Sequence, residues 1–148
     1  MTHTAPSRLL LAYVVGFCVF LLLDGCWLAL MGPRLYQPAL GPLMAPEVDW
    51  RAAALFYPLY LLGLLVFAIA PALRPGQPRA ALWRGALFGL VAYATYDLTN
   101  QATLRGWPWH VTLADLAWGA LVSGSTAWAA TRVVRGFTSR PGRPTAAE

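Results

Sequence analysis

The sequence predicts an all-α membrane protein, a four-transmembrane-helix bundle with both termini on the cytoplasmic side. Three observations carry that expectation. Of the 148 residues, 58% are hydrophobic and 11% charged, where a soluble domain carries roughly 25% charged residues. The apolar residues gather into four long runs with little charge inside them. The eleven basic residues, all of them Arg, lie mostly between those runs, as the flanks of membrane spans do.

The first run covers residues 8–31 and is broken only by Asp24. It is longer than the apolar core of a secretory leader and lacks a small-residue cleavage site, so it is expected to stay as a span. The second covers 52–73 and ends at the helix-breaking Arg-Pro-Gly-Gln-Pro stretch at 74–78. The third covers 80–104 and the fourth 111–134. Each is close to the roughly 20 residues needed to cross the hydrocarbon core. The four form one domain over residues 1–137; residues 138–148, rich in Pro, Gly and Arg, are expected to be a disordered cytoplasmic tail. The longest connection, 32–51, holds Pro33, Tyr36, Pro38, Pro42, Pro46 and Trp50, and has room for a short interfacial helix. The brief connection 106–110 holds Trp107 and Trp109, which read as belt anchors at headgroup depth.

The Arg positions set the expected orientation. Arg8, Arg74, Arg79, Arg84, Arg132, Arg135, Arg140 and Arg143 fall on one side of a four-span chain, against Arg34, Arg51 and Arg105 on the other. The richer side is expected to be the cytoplasm. The absence of Lys, with 13 Gly and 12 Pro, fits a GC-rich bacterial source, so the expected location is the bacterial cytoplasmic (inner) membrane. The net charge of +5 comes with no basic run or aromatic-basic platform, and no nucleic-acid partner is expected. Cys18 and Cys26 are eight residues apart on one helix, about 12 Å, too far for a disulfide. They are expected to pack as small apolar residues.

The spans contain three acidic residues, Asp24, Asp97 and Asp115. An Asp at the centre of an inserted helix costs about 2.5–3.5 kcal/mol, and such residues are functional candidates by default. Counted from the ends of their runs, all three lie roughly 6–11 Å below the outer boundary, in one layer. Tyr93, Tyr96, Asp97, Asn100 and Thr103 form one polar stripe of the third run by the i, i+3, i+4 rule. The second run brings Tyr57 and Tyr60 to a similar depth; Trp27 follows Asp24 by three residues, and Trp118 follows Asp115 by three. Lipid offers such groups no hydrogen bonds, so the stripe must face protein or a cavity. The expected site is an outward-opening pocket. Asp97, Asp24 and Asp115 are its candidate acid–base groups, and Tyr93, Tyr96, Asn100, Tyr57, Tyr60, Trp27 and Trp118 its candidate binding groups. The same residues also suit a bland role as interhelical hydrogen-bond ties, at about 0.6 kcal/mol each. His3 and His110 are the only histidines and form no ligand pair, so neither a metal nor a cofactor is expected.

Four segments carry a resemblance: Leu-Asp-Gly-Cys-Trp-Leu (23–28), Ala-Leu-Phe-Tyr-Pro-Leu-Tyr (54–60), Tyr-Ala-Thr-Tyr-Asp-Leu-Thr-Asn-Gln-Ala-Thr-Leu-Arg-Gly-Trp-Pro (93–108) and Asp-Leu-Ala-Trp-Gly (115–119). With them the chain, from about residue 10 to 135, resembles the bacterial predicted-membrane-protein family numbered 2177 among domains of unknown function. The resemblance implies a small polytopic membrane protein and assigns no activity. Three function classes stay open. The site could act on or bind a lipid or hydrophobic small molecule, with or without catalysis. It could serve a proton- or cation-coupled transporter, which with four helices calls for a homo-oligomer. Or the protein is a structural or accessory subunit whose aspartates are ties. Membrane lipids are expected partners in each.

Overall fold

The computed structural model describes residues 5–73 and 77–138. Within them every regular element is helical. Helix α1 (Pro6–Met31) runs on through a π turn (Gly32–Tyr36), α2 (Gln37–Leu40) and a 3₁₀ turn (Gly41–Leu43). Helix α3 (Trp50–Leu64) is extended by a second π turn (Leu65–Ile69) and α4 (Ala70–Leu73), and is followed by α5 (Pro78–Thr103) and α6 (Trp109–Thr138). His3, residues 74–76 of the expected breaker and residues 139–148 of the expected tail lie outside the described residues.

The four expected helices are present, with two corrections. Residues 32–43, expected to belong to a connection with room for a separate short interfacial helix, instead continue the first helix. Pro33 lacks an N–H, but the π turn shifts the ladder so that the Gln37 N–H reaches the Gly32 carbonyl, and Pro38 follows directly in α2. Thr138, expected in the tail, closes α6. The connection from α5 to α6 is short because Gly106, at φ 75°, takes a left-handed conformation that a side chain would oppose.

Two helical runs, Pro6–Leu43 and Trp50–Leu73, are long and apolar enough to cross a membrane. Only 22% and 28% of their most apolar stretches are buried, whereas the core helix of a water-soluble protein would be mostly buried. The outward faces carry Leu22, Leu55, Leu59, Phe67, Trp83, Leu87, Leu113 and Leu121 in the open, a surface suited to an apolar surrounding. Helices α5 and α6, of 26 and 30 residues, have the length for a span at about 39 and 45 Å. Their composition is more polar than that of the two apolar runs. On α5 the hydroxyls of Thr95, Thr99 and Thr103 each donate to a carbonyl of the preceding turn, at 2.6–2.9 Å, so that this exposed face asks for no outside partner.

Packing is antiparallel between neighbours. Gly89 meets Gly119, while Gly85 meets Ser123 and Ala127 further along α6. Along that seam a Cβ on Gly89 would stand 1.9 Å from the Gly119 carbonyl oxygen, and one on Gly85 2.6 Å from that of Ser123. Gly85 and Gly89 are four apart, the small-residue spacing that lets membrane helices approach closely. Helix α1 packs on α6 and α3, with Gly16 against Leu61, Ile69 and Thr126, and the second π turn lies against α5. Phe20, Leu61, Leu64, Ile69, Val122 and Val134 fill the centre, with Ala12, Ala68, Ala72, Ala81, Ala127 and Ala130 between the helices. This alternation brings the C-terminal ends of α1 and α5 and the N-terminal ends of α3 and α6 together. Cys18 and Cys26 are free and exposed, outside the bundle rather than packed within it as expected.

Candidate functional site

Asp24, Asp97 and Asp115 lie at that shared end and are buried, at 6%, 0% and 8% exposure. Their surroundings differ. Asp24, on α1, accepts from the Tyr57 hydroxyl of α3 at 2.8 Å through Oδ2 and from the Trp118 indole of α6 at 3.2 Å through Oδ1. One carboxylate thus joins three helices. Asp115 accepts a hydrogen bond from the Tyr36 hydroxyl, which itself accepts from the Trp27 indole at 2.8 Å. Trp27 and Trp118 stack with centroids 4.4 Å apart and planes 6° from parallel.

The arrangement is crossed. Helices α1 and α6 each carry Asp-x-x-Trp, at 24–27 and 115–118. Three residues place Asp and Trp on the same helix face. The two indoles stack between the helices, and each N–H is directed to the carboxylate of the other helix: Trp118 reaches Asp24 directly, and Trp27 reaches Asp115 through Tyr36. None of Arg34, Arg51 and Arg105 is hydrogen-bonded to these carboxylates among the described residues; aromatic donors take that role.

Asp97 has no such partner. It is fully buried on α5, and neither carboxylate oxygen has a hydrogen bond. It lines a cavity of about 450 Å³ together with Asp115 and the rings of Tyr36, Phe56, Tyr60, Tyr93 and Tyr96. Leu28 and Ala92 complete the wall. Leu28, Phe56 and Tyr96 are 46%, 45% and 61% exposed, so the cavity meets the surroundings along an edge formed by α1, α3 and α5. Tyr60 is oriented by a hydrogen bond with Ser123 at 2.7 Å and by its rings' contacts with Phe56, at 5.3 Å, and Tyr93, at 6.4 Å. Tyr93 packs over Gly119, where a Cβ would come within 2.4 Å of the ring.

Of the residues singled out from the sequence, Asp97, Asp115, Tyr60, Tyr93 and Tyr96 line this cavity. Asp24, Tyr57, Trp27 and Trp118 form the neighbouring network of ties. Asn100 is half-buried and takes part in neither. Trp107 is not a belt anchor: it is 6% exposed, donates to Thr112 at 3.0 Å and packs edge-on to Tyr96. Gln101 closes that turn by donating to the Trp107 carbonyl at 3.0 Å. Trp109, 60% exposed, does face outward.

Sequence reasoning missed Tyr36 and Ser123. In a straight α-helix the nine-residue step from Trp27 to Tyr36 places them on opposite faces; the π turn breaks that register, and no periodicity count would pair them. Ser123 could have been found, because Asp115, Gly119 and Ser123 follow one another at i+4. No group of three or more His, Cys, Asp or Glu residues fit to hold a metal ion occurs among the described residues.

A family model described as a predicted membrane protein, DUF2177, matches residues 9–132. The chain belongs to the DUF2177 family. No curated protein and no solved structure matches it. The match covers α1 to most of α6 and therefore every residue of the cavity and of the ties. As a DUF2177 member the chain is a membrane protein with apolar helices. The membership brings no assigned chemistry to Asp97.

Proposed function

We propose that this protein spans a bacterial inner membrane four times with both termini in the cytoplasm, and that its cavity binds a lipid or other hydrophobic small molecule with Asp97 as the polar contact. The observation that carries the reading is Asp97 itself. A fully buried carboxylate without a donor is costly in a low-dielectric interior, and in membrane helices such groups are retained for binding or proton exchange. The cavity around it is aromatic and reaches the apolar surface, which fits an amphiphile entering from the side. At about 450 Å³ it is within the range of small-molecule sites. Asp97 is also the side chain best placed to give or take a proton from a bound molecule, should the site be catalytic.

Asp24 and Asp115 support a second, structural reading for themselves. Their hydrogen bonds to Tyr57, Trp118 and Tyr36 are interhelical ties of the kind that holds membrane bundles together.

The test replaces Asp97 with Asn and follows two quantities, thermal stability in detergent and the amphiphiles that co-purify from native membranes, identified by mass spectrometry. The expected result is an intact fold with an altered complement of bound molecules. An unchanged complement with lowered stability would move Asp97 into the same structural class as Asp24. Reporter fusions after residues 31, 73, 104 and 138 test the four-span, both-termini-inside arrangement.

A further inference from the structure

The wall of the cavity specifies the chemistry of the polar head. Two of its side chains, Asp97 and Asp115, are carboxylates, and no Arg lines it. Asp97 is fully buried with both oxygens lacking donors, while Asp115 is engaged through Oδ1 by Tyr36. The rest of the wall is mainly aromatic. Ring faces carry the negative part of the aromatic quadrupole, and cages of such rings attract organic cations. Among the described residues no group of three or more His, Cys, Asp or Glu side chains that could hold a metal ion occurs. An anionic head would meet the carboxylates at close range.

We propose that the cavity takes a protonated amine carrying an apolar chain: Asp97 accepts the ammonium N–H bonds, the rings of Tyr60, Tyr93 and Tyr96 enclose the cation, and the chain leaves past Leu28 and Phe56. This rests on the amphiphile-binding reading above and narrows it to one class of head. The requirement for N–H donors comes from Asp97. A buried carboxylate is stabilised when it is both charge-paired and hydrogen-bonded, and a quaternary ammonium supplies only the first.

The full chain in uncharged maltoside micelles is titrated at neutral pH with four probes of equal chain length: dodecylamine, dodecyltrimethylammonium, dodecanol and dodecanoate. Bound probe is counted by native mass spectrometry. The amine is expected to bind at least about tenfold more tightly than the alcohol, with the quaternary ammonium between them and the carboxylate weakest. The amine-over-alcohol ratio is expected to fall toward one in Asp97→Asn. It is also expected to fall several-fold in Tyr96→Leu, a change at the 61% exposed edge that tests the idea should Asp97→Asn misfold. Saturable alcohol binding as tight as the amine's overturns the cationic head and leaves the amphiphile reading standing. A preference for amine that survives both substitutions overturns the assignment to this cavity. Saturable binding of none of the four overturns both readings.

Discussion

Asp24 accepts hydrogen bonds from Tyr57 and Trp118, whereas Asp97 accepts none, and the two should respond oppositely to conservative change. Tyr57→Phe removes one donor from a buried carboxylate and leaves the shape intact. The expected loss is about 1 kcal/mol, between the average interhelical bond in membranes and the larger value for bonds to charged groups. A thermal or denaturant unfolding curve in detergent measures it. Asp97→Asn changes a buried carboxyl group that no donor in the fold satisfies, so its unfolding midpoint is expected to equal or exceed that of the parent. A midpoint as depressed as that of Tyr57→Phe would mean that Asp97 is a tie after all. Both residues were legible in the sequence as polar groups in apolar runs. Their difference was not, because it depends on which side chains of other helices arrive beside them.

At the scale of elements, the α5–α6 seam and the first π turn matter most for the site. The seam sets Tyr93 over Gly119 and so fixes one wall of the cavity. Gly89→Ala would place a methyl 1.9 Å from the Gly119 carbonyl and force the helices apart. We expect a loss at or above the usual 1–3 kcal/mol, roughly, for overpacking, together with reduced ligand retention as Tyr93 shifts. Gly25→Ala is the control. It is also helical, but its added Cβ meets nothing within 4 Å, so it is expected to be neutral or to stabilise by up to about 1 kcal/mol. Parallel unfolding curves for the two variants decide the matter, and similar losses would contradict the close approach. Gly85 and Gly89 show the spacing of a close-packed membrane helix in the sequence itself. The π turn left only the Gly32-Pro33 pair as a hint, and propensity rules read that pair as a loop.

At the scale of the molecule, the apolar girdle separates a membrane bundle from a water-soluble one. Leu62 lies near the middle of the Trp50–Leu73 run and is 50% exposed. On a water-soluble protein Leu62→Arg would be close to neutral. In a bilayer it is expected to cost about 2.5–3.5 kcal/mol of insertion free energy, seen as a lower inserted fraction in a translocon assay. An unchanged fraction would argue that this face does not meet lipid.

Composition and charge spacing by themselves determined that the chain is helical, that its helices are apolar, and to within a few residues where each helix begins and where all but the first end. They also marked Asp24, Asp97 and Asp115 as anomalies at a common depth, because depth along a helix follows from counting residues. Azimuth does not follow as simply. A π turn rotates everything beyond it, so the pairing of Tyr36 with Trp27 and Asp115 was decided only in the folded chain. The same holds for the division of the three aspartates. Two accept hydrogen bonds from aromatic donors of other helices and Asp97 is left without one, because hydrogen-bond partners far apart in sequence are supplied by packing and not by local pattern.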